Sequence, residues 1–289
     1  MGNELINFER KPEVADRPME TAKTLKVQKL VDGKFTSSES SLVVEKELPI
    51  YVNGEHLATA SVVPSMEREF VAGYLFGQGF IDGPGEITML EITDKGAAAV
   101  LVDSDRISSR KTKTSYRIVS GGGRTAYFES TVLPRVHSDL RIHRKDIFRA
   151  MNTLLQNALL YHETEGVHSA ALFDTEIHPL CIVEDIGRHN TMDKAIGYAL
   201  LNKIDCAKTF MVSTGRMASE MVTKICRAGI PLVATKTAVT DMGLEMGEKC
   251  GLTIIGFVRD TGSRMHTDME VRVFKKAQMK IYTGADRVL

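Results

Sequence analysis

The sequence predicts an α/β protein: a C-terminal layered domain on a largely parallel sheet, preceded by a smaller mixed α+β domain. Three observations carry this. Beyond about residue 165, short apolar runs alternate with segments of helical period. Ahead of residue 105 the chain reads as paired strands around a single helix. Between the two lies a polar, glycine-bearing stretch with neither pattern. The domain expectation is a flexible tail over 1–22, an N-terminal domain over 23–105, a long loop over 106–135 and a C-terminal ligand-binding domain over 136–289. A chain of 289 residues is long enough for this division and buries a sizeable core without disulfide or metal.

The elements follow in order. Residues 1 to about 20 are polar, with Pro12 and Pro18, and predict a tail. Residues 25–31 and 42–63 alternate as strands do, and Asn53-Gly54 marks a hairpin turn. Pro64 and Ser65 open a helix through about Gln78, with Phe70, Tyr74, Leu75 and Phe80 as its apolar side. Gly73, Gly77 and Gly79 weaken that helix, which points to close packing against another element. Strands are expected at 87–92 and 98–102.

The stretch Arg106–Arg135 holds Ser108, Ser109, Arg110, Lys111, Lys113 and Ser115, then Gly121-Gly122-Gly123-Arg124. It reads as a long basic connection, functional or disordered. A helix over 145–161 places Ile147, Met151, Leu154, Leu155 and Ala158 on one face. Strands then fall at 167–173, 180–184, 209–212, 230–234 and 252–258, and helices at 191–201, 217–228 and 240–249.

Composition excludes several function classes. The 37 basic and 37 acidic residues balance, so there is no basic excess for nucleic acid or membrane binding. No apolar run approaches the ~20 residues of a membrane span, and no signal peptide is read at the start. The four cysteines, Cys181, Cys206, Cys226 and Cys250, form no CxxC pair and read as reduced thiols of a cytoplasmic protein. Cys226 sits beside Lys224 and Arg227, the most electropositive setting of the four. Gly121-Gly122-Gly123 lacks the GK[ST] of a Walker loop. His168 with His178, or Cys181 with His189, lacks zinc spacing, and no metal site is expected. A deaminase signature and a G-x-S-x-G elbow are both missing.

Polar clusters fall where ligands bind in open α/β sheets, beyond the carboxyl ends of the strands. After 180–184 comes Glu184-Asp185-Ile186-Gly187-Arg188-His189-Asn190, and after 209–212 comes Ser213-Thr214-Gly215-Arg216. Thr235-Lys236-Thr237 follows 230–234, and Arg259-Asp260-Thr261-Gly262 closes 252–258. Gly187 and Gly215 allow tight turns and close approach to an anion. The helices that follow aim unpaired N–H groups at the same space. Arg188, Arg216 and Arg259 suit two-pronged phosphate contacts. Asp185 or Glu184 could accept the paired N–H donors of a guanine. Each residue also has a structural reading. Asn190 with Asp193 reads as a helix cap, Gly215 as a turn residue, and His189 as a hydrogen-bonded structural histidine.

These residues resemble the FdhD/NarQ family, the formate dehydrogenase accessory sulfurtransferases. The N-terminal match is Pro64 with Glu69-Phe70-Val71-Ala72-Gly73-Tyr74-Leu75-Phe76 and Gly79-Phe80-Ile81. The C-terminal match is more specific: His168-Ser169-Ala170-Ala171, Glu184 to Asn190 with Asp193-Lys194, Ser213-Thr214-Gly215-Arg216 and Glu220-Met221-Val222. It continues through Gly229-Ile230-Pro231, Gly256-Phe257-Val258-Arg259 and Ile281-Tyr282-Thr283-Gly284 before Arg287. The resemblance implies a homodimer whose C-terminal domain is a cytidine-deaminase-like three-layer fold without zinc. It implies binding of a molybdenum or tungsten bis-molybdopterin guanine dinucleotide through a segment that maps onto Phe257, Val258, Arg259, Asp260, Thr261 and Gly262. It also implies two protein partners: a cysteine desulfurase that supplies sulfur and the formate dehydrogenase, or related molybdoenzyme, that receives the cofactor.

One segment departs from the family. Its long loop carries a T-S-x-C-G-x-C-G type of sequence, whereas this chain reads Val119-Ser120-Gly121-Gly122-Gly123-Arg124-Thr125-Ala126. In that register Gly122 and Thr125 occupy the cysteine positions, and neither can form a persulfide. Two readings therefore stand: a sulfurtransferase using another thiol, and a cofactor carrier without sulfur chemistry.

Overall fold

The structure, a computed structural model, describes residues 20–101, 133–261 and 276–289 in full. It adds the backbone of 13–14, 115–118, 124–127, 264–266 and 271–273. The tail expected over 1–22, Gly122 and Gly262 lie wholly or mostly outside the described residues.

The chain begins with a short strand β1 (Glu13–Val14) and two hairpins, β2 (Ala22–Val31) with β3 (Lys34–Val43) and β4 (Lys46–Val52) with β5 (Glu55–Val62). Helix α1 (Glu67–Gly77), strands β6 (Ile87–Thr93) and β7 (Gly96–Leu101), and a small pair β8 (Ser115–Ile118) and β9 (Arg124–Tyr127) follow. Next come α2 (Arg144–Asn157), α3 (Leu159–Thr164), β10 (His168–Phe173), β11 (Pro179–Asp185) and α4 (Arg188–Leu201). The remainder is β12 (Phe210–Ser213), α5 (Ser219–Ala228), β13 (Leu232–Thr235), α6 (Asp241–Cys250), β14 (Thr253–Arg259), β15 (Arg264–His266), β16 (Val271–Val273) and β17 (Gln278–Ile281).

Both hairpins turn on two residues of positive φ, Asp32-Gly33 and Asn53-Gly54, which suits the twist of paired strands. The second was legible in the sequence. The first was half hidden, because β3 carries Ser37, Ser38, Ser40 and Ser41 and shows no apolar alternation. The expected helix over 145–161 is two helices, since Ala158 breaks the path at ψ 72.

Seven strands form the main sheet in the order β1-β11-β10-β12-β13-β14-β17. The expectation of a largely parallel sheet needs correction. Strands β12, β13 and β14 are parallel, but β10 runs antiparallel to both its neighbours and β17 antiparallel to β14. Short turns at Asp174–His178 permit the β10–β11 pairing, which a helical crossover would forbid. Because β10 opposes both β11 and β12, the four strands β11, β12, β13 and β14 all end on one edge.

The sheet is covered on both faces, giving the three layers expected. On one face α2 sets Ile147, Met151 and Leu154 against Phe173, Phe210 and Ile255, with the two phenylalanine rings stacked at 5.5 Å. On the other, α4 and α5 bury Met192, Ile196, Met221 and Ile225, and α6 adds Cys250. That second core continues without a break into the N-terminal part. There Phe70, Val71 and Leu75 of α1 lie over Leu48, Ile50 and Ala97 of a four-stranded sheet ordered β5-β4-β7-β6.

Contact between α1 and α4 is backbone to backbone. A Cβ on Gly73 would overlap the Asp193 carbonyl, and one on Gly197 would overlap the Glu69 carbonyl. A Cβ on Gly77 would meet the Asp193 and Lys224 side chains at 3.2 Å. The glycines that weaken α1 locally are therefore what lets it seat. Gly79 has a different role, leaving the helix at φ 73. Replacing Gly197 with Ala should lower the unfolding free energy by about 3 kcal/mol in a urea titration. A loss below about 1 kcal/mol would mean that the helices can separate freely.

Candidate functional site

The shared edge is stitched together by its own loops. Thr214 N–H donates to the Ser169 carbonyl at 2.9 Å, and Ser169 N–H donates to Thr214 Oγ1 at 3.0 Å. Lys236 N–H reaches the Ser213 carbonyl at 3.0 Å, and Phe257 N–H the Thr237 carbonyl at 3.0 Å. Thr235 Oγ1 donates to the Gly215 carbonyl at 2.7 Å. The ends of β11, β12, β13 and β14 and the start of β10 thus form one ordered surface. All four predicted loops meet there.

The carboxylates predicted to read a base are turned inward. Asp185 is fully buried; its Oδ2 lies 2.7 Å from Lys194 Nζ and accepts from Val63 N–H at 3.1 Å. Its Oδ1 accepts from Gly187 N–H at 3.1 Å and Asn190 Nδ2 at 2.7 Å. Glu184 accepts the Leu160 and Tyr161 N–H groups at 2.9 and 2.8 Å and so caps α3. Both expectations are corrected on the same ground: these oxygens already hold the fold. Asn190 is corrected as well. Helix α4 starts at Arg188 with Gly187 as its N-cap, so Asn190 lies inside the first turn. Its amide ties Asp185 to the Ser61 carbonyl, at 2.8 Å. Asp193 is no cap partner but a core residue bound to Lys224 at 2.6 and 2.7 Å.

With the acids engaged, the edge is dominated by cations. Arg188 is buried, held below the usual arginine range by burial and then by neighbouring Arg216. Arg216 itself is exposed. Lys236 is half-buried and pushed down by burial and by Arg259, and Arg259 is lowered by burial. Arg188 and Arg216 thus form one close positive pair at this edge and Lys236 and Arg259 another, with Glu220 partly offsetting the first. Gly215 serves this crowding, because a Cβ there would meet Arg188 Cβ at 2.8 Å. Ser213 is fully buried and its Oγ accepts from Gly215 N–H at 3.0 Å, fixing the turn.

The segment Phe257 to Thr261 divides. Phe257 adopts φ 54 in the bulge where β14 loses register with β17, a conformation unusual for an aromatic residue. Its ring is half-buried between Arg259, 5.2 Å away, and Lys280, 4.9 Å away. Val258 is corrected to a core residue: it is 1% exposed and packs in the cluster beneath α2. Asp260 accepts from Asn152 Nδ2 at 2.7 Å and from Thr261 N–H at 2.7 Å, which anchors this arm to α2. Thr261 is exposed.

Beneath the edge, on the α2 side, lies a cavity of about 420 Å³. Leu155, Tyr161, Val167 and Ile186 line it together with His168, Ser169, Thr214, Lys236 and Thr237. His168, Ser169 and Lys236 were quoted as motif residues but not named as ligand contacts. The signal that finds them is the β10 register, which sets His168 opposite Asp185 and Ala170 opposite Ser213. Among the described residues no group of three or more His, Cys, Asp or Glu could hold one metal ion. None of the described helices is long and apolar enough to cross a membrane.

Residues 43–289 match the FdhD/NarQ family. The chain belongs to that family. It is 31% identical over 260 residues to the sulfur carrier protein FdhD of Listeria innocua, covering 87% of this chain and 99% of that one. It is 35% identical over 246 residues to the sulfur carrier protein FdhD of Bacillus pumilus, covering 82% and 92%. A solved structure from Desulfotalea psychrophila, named as a formate dehydrogenase accessory protein, superposes with a TM-score of 0.72 at 22% identity. It covers 93% of this chain and all of that one, a likeness of fold.

Within this FdhD/NarQ chain all four cysteines are described, and their surroundings can be compared. Cys181, Cys226 and Cys250 are buried. Burial and then the neighbouring Cys250 push the Cys226 thiol far above its usual range. The two positive charges beside Cys226 in the sequence are engaged elsewhere, Lys224 on Asp193 and Arg227 on the Phe76 and Ile81 carbonyls and Asp82. Cys206 is half-buried and pushed up to about 11 by burial and by Asp205. None of the four lines the cavity.

His189 is pushed down to about 3, first by burial and then by Lys224, Arg188 and His168, and its Nε2 makes no hydrogen bond. Its folded value lies below its unfolded value of about 6.5, so the unfolded chain binds the proton first. Stability is then complete above pH 6.5 and falls as pH drops toward 3. Between pH 7 and pH 5 the His189 contribution should fall by about 2 kcal/mol. Urea titrations of wild type and His189→Gln at the two pH values check this. The wild type should lose more stability than the variant, and equal losses would refute the assignment.

Proposed function

We propose that this protein is a formate dehydrogenase accessory protein that binds bis-molybdopterin guanine dinucleotide, with molybdenum or tungsten, as cargo. The observation that carries this reading is the set Arg188, Arg216, Lys236 and Arg259 on one strand edge whose nearby carboxylates Asp185 and Glu184 are engaged inward. Such an edge favours a ligand with several negative charges, and a pyrophosphate-linked dinucleotide is one. Arginine suits phosphate because its planar fork makes two parallel hydrogen bonds. Phe257 beside Arg259 adds a flat apolar face next to that charge. The link to formate dehydrogenase rests on the names of the relatives and of the solved structure. A cofactor with a guanine at each end suits a two-fold assembly, so a second copy of the chain is the first partner expected.

Calorimetric titration of GDP tests the site. Arg259→Ala should weaken GDP about 10-fold or more, since a hydrogen bond to a charged partner is worth roughly 1.5–3 kcal/mol, with little change in Tm. Absence of GDP binding to the wild type, or equal affinity in the variant, would remove the reading.

Its relatives are named sulfur carriers, and sulfur transfer from a cysteine desulfurase is the second reading. Against it, the register of the resemblance would set Gly122 and Thr125 at the family's cysteine positions, and the four thiols present are buried or raised. A persulfide carrier needs a thiolate within reach of its donor. We therefore favour a carrier that holds and presents the cofactor without sulfur chemistry. Intact mass spectrometry after incubation with a cysteine desulfurase and cysteine should show no gain of a sulfur atom. A reducible gain on any cysteine would restore sulfur transfer.

A further inference from the structure

The hairpin of β2 and β3 contributes nothing to the ligand edge, and the family match begins only at Val43, its last residue. Its strands pair over ten residues each, from Ala22 opposite Val43 to Val31 opposite Lys34, with no bulge and no proline. At the base Ala22 and Val43 pack with Val63, Leu160 and Val167, so one face of the ribbon leans on the body at α3. Most of the remainder stands in solvent. Yet Leu25, Leu30, Val31, Phe35 and Leu42 are all exposed, Phe35 by 74% and Leu30 by 59%. No other hairpin or helix among the described residues shows as many large apolar side chains. A two-stranded ribbon is marginal in water by itself, and apolar groups left on it add nothing to its stability. They contribute only when something covers them.

The register sorts the side chains by face. The face turned away from α3 carries Leu42, Leu25, Val27 and Val31, interleaved with Lys23, Lys29 and Lys34 and with the hydroxyls of Thr36, Ser38 and Ser40. It holds no carboxylate. The acids of the ribbon are elsewhere, Glu39 opposite Lys26 on the other face and Asp32 in the turn. The balanced charge of the whole chain thus hides one face that is apolar and purely cationic. Its composition separates the surfaces that could cover it. Protein interfaces favour aromatic residues, Met and Arg and are depleted in Lys and Ser, the reverse of this face. Nucleic acid offers phosphates to the lysines but nothing to four aliphatic side chains between them. An anionic lipid surface takes every group present. Aliphatic side chains enter beneath the headgroups, hydroxyls lie among them, and lysine stems reach back to the charges. Asp32 at the apex opposes end-on insertion, which leaves the ribbon lying along the surface.

We propose that the β2–β3 ribbon is a docking arm for anionic lipid surfaces, with the face of Leu25, Leu42 and the three lysines against the lipid. The attachment is peripheral and needs no span. Val43 lies so close to Gly166 that a Cβ there would meet it at 3.1 Å, and Gly166 lines the cavity beneath the strand edge. The arm therefore stands beside the ligand opening. This goes beyond the cofactor-binding reading and does not rest on it.

Flotation of the full chain with vesicles tests the arm, using phosphatidylcholine alone and phosphatidylcholine with phosphatidylserine in equal parts. The wild type should float with the mixed vesicles and not with the neutral ones, and binding should weaken as salt rises. A lysine near such a surface contributes about 5-fold in affinity, so Lys23→Gln with Lys29→Gln should weaken binding about 20-fold. Leu25→Ser with Leu42→Ser should weaken it about 10-fold or more and leave its salt dependence in place. The lysine pair is exposed, so its replacement should leave Tm unchanged and keep the test independent of folding. No binding to the mixed vesicles, equal binding to both kinds, or undiminished binding by the lysine variant would overturn the proposal. So would light scattering in which the wild type is a larger assembly than the leucine variant, because a second copy would then be what covers this face.

Discussion

The close approach of α1 to α4 fixes where everything else sits. Two helices meet without side chains between them at Gly73 and Gly197, and two buried ion pairs lock the seam. Lys194 joins Asp185 at 2.7 Å while donating to the Val63 and Glu184 carbonyls, both at 3.2 Å. Lys224 joins Asp193 from the neighbouring helix α5. Burial pushes the Asp193 carboxyl up and the Lys194 ammonium down, and in each case the partner opposes the shift. Removing one member of such a pair strands the other in a dry core, which makes the arrangement specific as well as stable.

That seam also dictates the chemistry of the strand edge it adjoins. Asp185 closes β11, the segment from Val63 to Ser65 enters α1, and Lys194 holds both. The acid nearest the crevice is therefore consumed by the link to the N-terminal half. Glu184 is consumed likewise by the start of α3. What remains at the edge is mainly positive, with Glu220 within electrostatic reach of Arg188 and Glu165 on the cavity lining. The positive character of the edge comes from where Asp185 and Glu184 have gone as much as from where the arginines stand.

The thiols follow the same logic of burial. Cys226 and Cys250 face each other in the core below α5 and α6, and Cys206 lies beside Asp205. An apolar setting disfavours the charged form of any thiol. A family whose relatives are named sulfur carriers thus includes a chain whose own thiols are withdrawn.

The sequence by itself determined most strands and helices of the C-terminal half, the four strand-end loops, the Asn53-Gly54 turn and the family. These are local matters, set by periodicity, turn chemistry and motif order within a few residues. It also flagged Gly73 as a packing glycine without naming the partner. Only tertiary structure decided that β10 runs against its neighbours and that Val258 faces the core. It alone showed that Asp185 and Glu184 point inward and that Ser169 and Glu165 share a cavity. The reason is physical. A side chain's role depends on which buried groups need its charge or hydrogen bonds. The partners of Asp185, Val63 and Lys194, lie 122 residues upstream and one helix downstream.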